Sequence, residues 1–313
     1  MTSENNSLLL NLQEVDKTTG EVVKLDVNST STVQPVALMR LGLFVPTLKS
    51  TGKSKANRKN VTDATEELVQ LSIAKSEGYT DVKITGSRLD MDTDFKVWLG
   101  IIRSMSEYGV KSDTLELSFV EFVKMCGFDS RRSNKKMRDR ISNSLFKLAS
   151  VTLKFQSETK GWTTHLVQSA YYDINEDIVE IKAEPKLFEL YHMDRRVLLR
   201  LKAIDALQRK ESAQALYTYI ESLPQNPAPI SMKRMRERLN LTSNVYTQNH
   251  TVRKAMEQLR DIGYLDYTEF KRGRATYFSV HYRNPKLISG PVKVPRNEEE
   301  EKAPEQNYDE VIK

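Results

Sequence analysis

The chain has little cysteine, little histidine and no long apolar run, and each shortage removes a class of function. A single cysteine, Cys126, excludes an internal disulfide and any multi-cysteine zinc site, which fits a reducing compartment. Its expected role is core packing. The four histidines, His165, His192, His250 and His281, stand far apart, without a His-x-His pair or a His-Glu-x-x-His helix. No apolar run approaches the roughly 18 residues that a membrane span needs, and MTSENNSLLLNL lacks the basic start and apolar core of a signal peptide. The expectation is a cytoplasmic protein with no membrane partner.

Three further patterns imitate chemistry and lack a required part. Thr51, Gly52, Lys53 and Ser54 resemble the end of a phosphate-binding loop, but Thr47 stands where the first glycine must let the backbone wrap the phosphates. Asp90, Asp92 and Asp94 resemble a calcium loop, but Phe95 occupies the glycine position and Ile101 the closing glutamate position. Acids in the first turn of a helix explain them better. Tyr171 and Tyr172 have the residue type of a nickase nucleophile, yet the closely spaced histidines that would hold its metal are missing, so strand tyrosines filling a core is the preferred reading. No catalytic residue, no cofactor and no metal are expected.

What is present is length and positive charge. At 313 residues the chain suggests two domains. Its net charge of +6 includes an acidic end, EEEEKAPEQNYDE, so the remainder is more basic still and favours a polyanionic partner, which the element order that follows narrows to double-stranded DNA.

The stretch from Glu211 to Arg283 carries the most information. ESAQALYTYIESL places Ala215, Leu216, Tyr219 and Ile220 at helical spacing, and Pro224, Pro227 and Pro229 end that helix. Ser231 is the N-cap of SMKRMRERL, with Met232, Met235 and Leu239 inward and Lys233, Arg234, Arg236 and Arg238 in water. After a polar turn from Asn240 to Tyr246, the helix QNHTVRKAMEQLRDIG buries Val252, Ala255, Met256, Leu259 and Ile262, and Gly263 stops it. Its other side offers Thr247, His250, Arg253 and Lys254, the position from which a recognition helix meets base edges. YLDYTEF, the turn KRGR and ATYFSVHY then form a hairpin whose tip, Lys271, Arg272 and Arg274, suits phosphates. This is the element order of a winged helix; an ordinary helical bundle with a solvated basic face is the alternative.

A weaker copy of the order lies upstream. DMDTDFKVWLGIIRSMSEYG turns Phe95, Trp98, Leu99 and Ile102 to one face, TLELSFVEFVKMCGF reads as a strand and a helix capped by Ser118, and RRSNKKMRDRISNSLFKLAS as a long helix. That last helix carries Arg131, Arg132, Lys135, Lys136 and Arg140 as phosphate-contact candidates, alongside Lys233 and Arg234 downstream. Lys147 also falls on its outward or flanking side. Alternating strands follow. Ser118, Phe122, Cys126 and Phe128 align with Ser231, Met235, Leu239 and Leu241, a repeat of pattern rather than identity. The fold class expected is α+β: two tandem winged-helix domains with small antiparallel sheets, joined by a helical linker. The divisions are a disordered extension over 1–32, a first domain over 33–184, a linker helix over 185–204, a second domain over 205–287 and an acidic disordered tail over 288–313. VQPVALMRLGLFVP should dock on the first domain, and the basic stretch from Lys49 to Thr62 reads as a loop near phosphate.

Five blocks, TVQPVALMRLGLFVPTLKS, ITGSRLDMDTDFKVWLGII, LFELYHMDRRVLL, ESAQALYTYIESLPQNPAPISMKRMRERLNL and AMEQLRDIGYLDYTE, resemble the RepA-type replication initiators of phage-plasmids and F-type plasmids, within the iteron-binding Rep family. The resemblance spans Thr32 to Leu287. It implies a bacterial initiator that binds directly repeated origin sites as a monomer, with a replication-inactive homodimer that in some members represses its own gene. Host chaperones that convert dimer to monomer, the host initiator and the replicative helicase are the implied partners. A repressor that binds a palindrome as a dimer, and the tyrosine nickase, remain as alternatives. The polar extension and the acidic tail have no role that the resemblance supplies.

Overall fold

The structure is a computed structural model and describes residues 13–15, 22–24, 27–47, 61–63, 79–108, 113–129, 134–173, 175–193 and 196–284. Arg131 and Arg132, most of the basic stretch between Lys49 and Thr62, and the acidic tail lie outside these residues. Within the extension over 1–32, β1 (Gln13–Val15) and β2 (Val22–Lys24) pair antiparallel. The chain then runs through β3 (Ser31–Pro35), α1 (Val36–Arg40) and β4 (Phe44–Val45), followed by β5 (Val61–Asp63), β6 (Asp81–Thr85) and β7 (Leu89–Asp90).

The first winged helix comprises α2 (Asp94–Tyr108), β8 (Thr114–Ser118), α3 (Phe119–Met125), α4 (Lys135–Ser150) and the hairpin β9 (Thr152–Gln156) and β10 (Gly161–His165). β11 (Ser169–Asp173) and β12 (Ile178–Lys182) follow. Local chemistry sets the boundaries. The Ser118 hydroxyl accepts from the Glu121 backbone N–H at 3.2 Å, and the Asn134 side chain from that of Met137 at 3.1 Å. Gly127, at φ +74°, ends α3: its N–H donates to Lys124, and that of Phe128 reaches back to Val123. The buried Cys126 packs there against Gly100 of α2, so closely that an added Cβ would lie 2.4 Å from its sulfur. Burial pushes its thiol well above the ordinary range, as expected of a core residue.

The linker differs from the continuous helix its apolar spacing suggests. α5 (Pro185–Met193) is followed by a strand, β13 (Arg196–Arg200), and a short helix, α6 (Leu201–Ala206). RVLLR is extended because β3, some 160 residues earlier, pairs with it in antiparallel register, Val33 opposite Leu198. Gln34 of β3 is buried and accepts from Trp98 Nε1 of α2 at 2.9 Å and from the Tyr191 hydroxyl of α5 at 3.1 Å.

The second winged helix contains α7 (Glu211–Glu221), β14 (Ile230–Ser231), α8 (Met232–Leu239), α9 (Val245–Asp261), β15 (Leu265–Arg272) and β16 (Ala275–Arg283), with its sheet in the order β14-β16-β15. Gly263, at φ +71°, closes α9 with the same pair of bonds that ends α3: its N–H donates to Arg260, and that of Tyr264 to Leu259. One continuous core runs from Val33 to Phe278 through both winged helices.

The segment from β3 to Thr47 was expected to dock on the first domain and touches both. Its strands join β13 and β7, while α1 packs on α7 and the Arg40 guanidinium donates to the Ser222 carbonyl at 2.9 and 3.2 Å. Arg238, expected in water, is buried instead. It donates to the carbonyls of Met39 and Phe44, each at 3.1 Å, and to the Thr218 hydroxyl at 3.3 Å. Arg88 adds bonds to Asn240 at 3.0 Å and Pro46 at 2.9 Å. Buried carbonyls need donors, and these arginines supply them across the joint between the winged helices.

Candidate nucleic-acid interface

Ser231 caps α8 by accepting from the Arg234 backbone N–H at 3.2 Å, and Met232, Met235 and Leu239 are buried as the spacing requires. Asn244 then caps α9, accepting from Thr247 N–H at 2.9 Å, and Val252, Ala255, Met256 and Leu259 seat the helix on the core. The cap fixes the direction in which the opposite face points. Thr247, His250, Arg253 and Lys254 are all exposed on that face.

Starting the helix at Asn244 adds two residues that sequence reasoning left in the turn. Tyr246 is 85% exposed and Val245 58%, an apolar front on the first turn of α9. The signal was present: Tyr246, His250 and Arg253 recur at i, i+4 and i+7, the spacing of one helical face. Arg253 does not project freely. It makes a fork-like pair with Glu269 of β15, Nη2 to Oε1 at 2.7 Å and Nε to Oε1 and Oε2 at 2.9 and 3.0 Å. The hydrogen bonds to Glu269 hold its guanidinium above the ordinary arginine range, against the opposing effect of desolvation.

Beside this helix the β15–β16 hairpin ends in a turn at Gly273, φ +61°, with Lys271, Arg272 and Arg274 exposed and without an ion pair among the described residues. Phe270 and Tyr277 stack across the hairpin at 5.8 Å and stiffen it just below the tip. On α8, Lys233 is exposed and pairs loosely with Glu237 at 3.6 Å, whereas Arg234 is half-buried over the Tyr219 ring.

In the first domain, Lys135 and Lys136 are exposed in the first turn of α4. The rest of that helix has other commitments. Arg140 donates to the Asp92 carboxylate at 2.5 Å and the Thr93 hydroxyl at 2.6 Å, with its guanidinium over the Phe128 ring. Lys147, expected on the outward or flanking side, bridges Asp90 and Asp94 at 3.1 and 2.7 Å. The three aspartates that imitate a calcium loop are thus held by cations of α4. Burial and the neighbouring Asp90 charge push Asp94 up to about 6 despite Lys147.

Tyr171 and Tyr172 do not fill a core. They are 56% and 43% exposed on β11, an edge strand of the sheet β11-β12-β8. The Tyr171 hydroxyl donates to Asp173 at 3.3 Å, and that negative charge holds its proton more firmly, the reverse of nucleophile activation.

Comparison with known proteins agrees with the tandem winged-helix order. A family model described as "Initiator Replication protein, WH1" matches residues 82–221, and one described as "Initiator Rep protein, WH2" matches residues 231–281. The RepFIB replication protein A of Salmonella typhi is 58% identical over 291 residues, covering 92% of this chain and 88% of that protein. A replication protein RepA, also of Salmonella typhi, is 54% identical over 99% of this chain and 90% of its own length. A protein RepA of Escherichia coli is 47% identical over 84% of this chain and 91% of its own. With both winged-helix models matched in order, and relatives this similar along nearly the whole chain, the protein belongs to the initiator Rep family and is a plasmid replication initiator.

Proposed function

We propose that this initiator binds directly repeated origin sites, iterons, as a monomer, with the second domain supplying most of the sequence preference. The observation that carries the proposal is the exposed face of α9 beside an unpaired basic hairpin tip, both seated on a core continuous with the first winged helix. Thr247, His250, Arg253 and Lys254 are the proposed base contacts, each good bidentate pair contributing roughly 1–3 kcal/mol of discrimination. Lys271, Arg272 and Arg274, with Lys233 and Arg234 nearby, are the proposed phosphate contacts and supply sequence-blind, salt-dependent affinity. Lys135 and Lys136 extend the contact to a second stretch of the same repeat. Arg140, bound to Asp92 and Thr93, is left out of the contact set. A monomer with two reading domains needs no palindrome.

The replication-inactive form is proposed to be a homodimer formed through the first domain and able to repress the initiator's own gene. Support comes from β11, an edge strand whose unpaired backbone groups can continue a sheet into a second copy. Conversion to monomer by host chaperones, and completion of origin opening by the host initiator and replicative helicase in the bacterial cytoplasm, follow from the resemblance to iteron-binding initiators. A footprint of the purified protein on the DNA around its gene, with and without chaperone treatment, tests the reading. Protection of regularly spaced direct repeats, increased by chaperone, is the expected result; a single protected palindrome bound by a stable dimer would replace it with a repressor.

A further inference from the structure

We propose that Glu269 is a positioning residue for base recognition: the wing strand holds the recognition-helix arginine, Arg253, by one edge of its guanidinium so that the other edge faces the DNA. The inference deepens the proposed reading of α9 and rests on it.

A guanidinium carries five N–H groups in a fixed plane. Glu269 takes the side edge, accepting from Nε at 2.9 and 3.0 Å and from Nη2 at 2.7 Å. One N–H of Nη2 and both of Nη1 have no bond among the described residues. An N–H on each Nη makes the end edge, which is the edge that grips O6 and N7 of a guanine in the major groove. A carboxylate on the side edge therefore leaves the reading edge available and removes the rotamer freedom of a long side chain, a cost otherwise met on binding.

The support is itself fixed. Glu269 lies opposite Phe278 in the β15–β16 ladder, and Phe278 is wholly buried, so the carboxylate stands on an anchored strand. Arg253 and Glu269 side chains are 46% and 31% exposed, open enough to meet a duplex. Tyr246, exposed on the first turn of α9, lies two turns before Arg253 on the same helical face. The rival arrangement built from the same contacts makes the carboxylate a phosphate mimic that must be displaced before DNA binds.

Selection of preferred sites from a pool of randomised duplexes by the full-length protein separates the two. Wild type, R253A, E269A, E269Q and the double variant R253A/E269A are compared. Positioning predicts that R253A abolishes preference at one base pair, that E269A weakens preference at that same base pair by about 5- to 100-fold, the range a bidentate base contact spans, and that the double variant is no worse than R253A alone. E269Q, which keeps an acceptor oxygen without the charge, retains part of the preference. Tighter binding of E269A to all sequences with preference intact would overturn positioning in favour of the phosphate mimic, and an R253A variant with unchanged preferences would remove the arginine and its support together. A wild-type protein that selects no sequence at all would instead remove the DNA-reading function on which the inference rests.

Discussion

The two winged helices share a local design and differ in what surrounds it. Both long helices, α4 and α9, begin at an asparagine cap, and both preceding helices begin at a serine cap. In the second domain β14 joins the wing hairpin in one sheet, whereas in the first domain β8 leaves the hairpin and pairs with β12. The cations follow the same division. Arg138, Arg140 and Lys147 of α4 meet Asp177, Asp92, Asp90 and Asp94 inside their own domain, while Lys254 of α9 and Lys271, Arg272 and Arg274 of the wing tip make no ion pair among the described residues and Arg253 meets Glu269 along one edge. The bonds that a basic helix makes are thus set by which acids the tertiary fold brings to it.

The largest test of this contrast concerns the joint that carries both helices. R238A leaves two buried carbonyls and a hydroxyl without their charged donor and is expected to destabilise the protein by about 3 kcal/mol or more, at least about 1 kcal/mol for each acceptor left unsatisfied, read as a fall in the urea midpoint. A loss within about 0.5 kcal/mol, the range of ordinary surface changes, would mean that the joint does not depend on Arg238. Next, R253A and R140A should part company. R253A is expected to lose roughly 1–3 kcal/mol of discrimination at one base pair, whereas R140A, removing a half-exposed ion pair, should cost at most about 1 kcal/mol of stability and leave base preference alone. Relaxed preference in R140A would erase the difference between the two helices.

R272A sharpens the wing. If Arg272 meets one phosphate, the slope of log affinity against log salt should become shallower by about 0.9 with base preference unchanged; an unchanged slope takes Arg272 off the phosphate list. The smallest effect belongs to the acids of the first domain. Asp94 titrates near 6 in the folded protein against 3.8 for the ordinary group, chiefly because it is buried and faces Asp90. Its contribution is therefore full below its ordinary value and is lost as pH rises through about 6. Lowering the pH from 7 to 5 should stabilise wild type relative to D94N in urea unfolding, and a pH-independent difference between them would refute the assignment.

Much of the second domain was readable because its signals are local. Ser231 as a cap, the stripe Val252, Ala255, Met256 and Leu259, the stop at Gly263 and the basic hairpin tip each depend on residues within a turn or two. The start of α9 is not legible in the apolar spacing, because Val245 and Tyr246 follow a polar run, and apolar residues that face water carry no periodic mark of burial. Tyr171 and Tyr172 were assigned to a core because strand tyrosines usually have a covered face, and only the sheet order makes β11 an edge. β13 was read as helix because LLRLKAIDAL has helical spacing, and nothing nearby announces that Ser31–Pro35 will pair with it.

By itself, then, the sequence determined the two winged helices, the serine caps at Ser118 and Ser231 and the stripe that α9 turns inward, because these depend on side-chain spacing and on bonds made within a few residues. The tertiary structure alone decided which acceptor each cation meets. Arg238 meets Met39 and Phe44, Arg140 meets Asp92, and Arg253 meets Glu269. A guanidinium is charged wherever it lies, so its role is set by the acceptor within reach, and reach across some 200 residues exists only once the chain has folded.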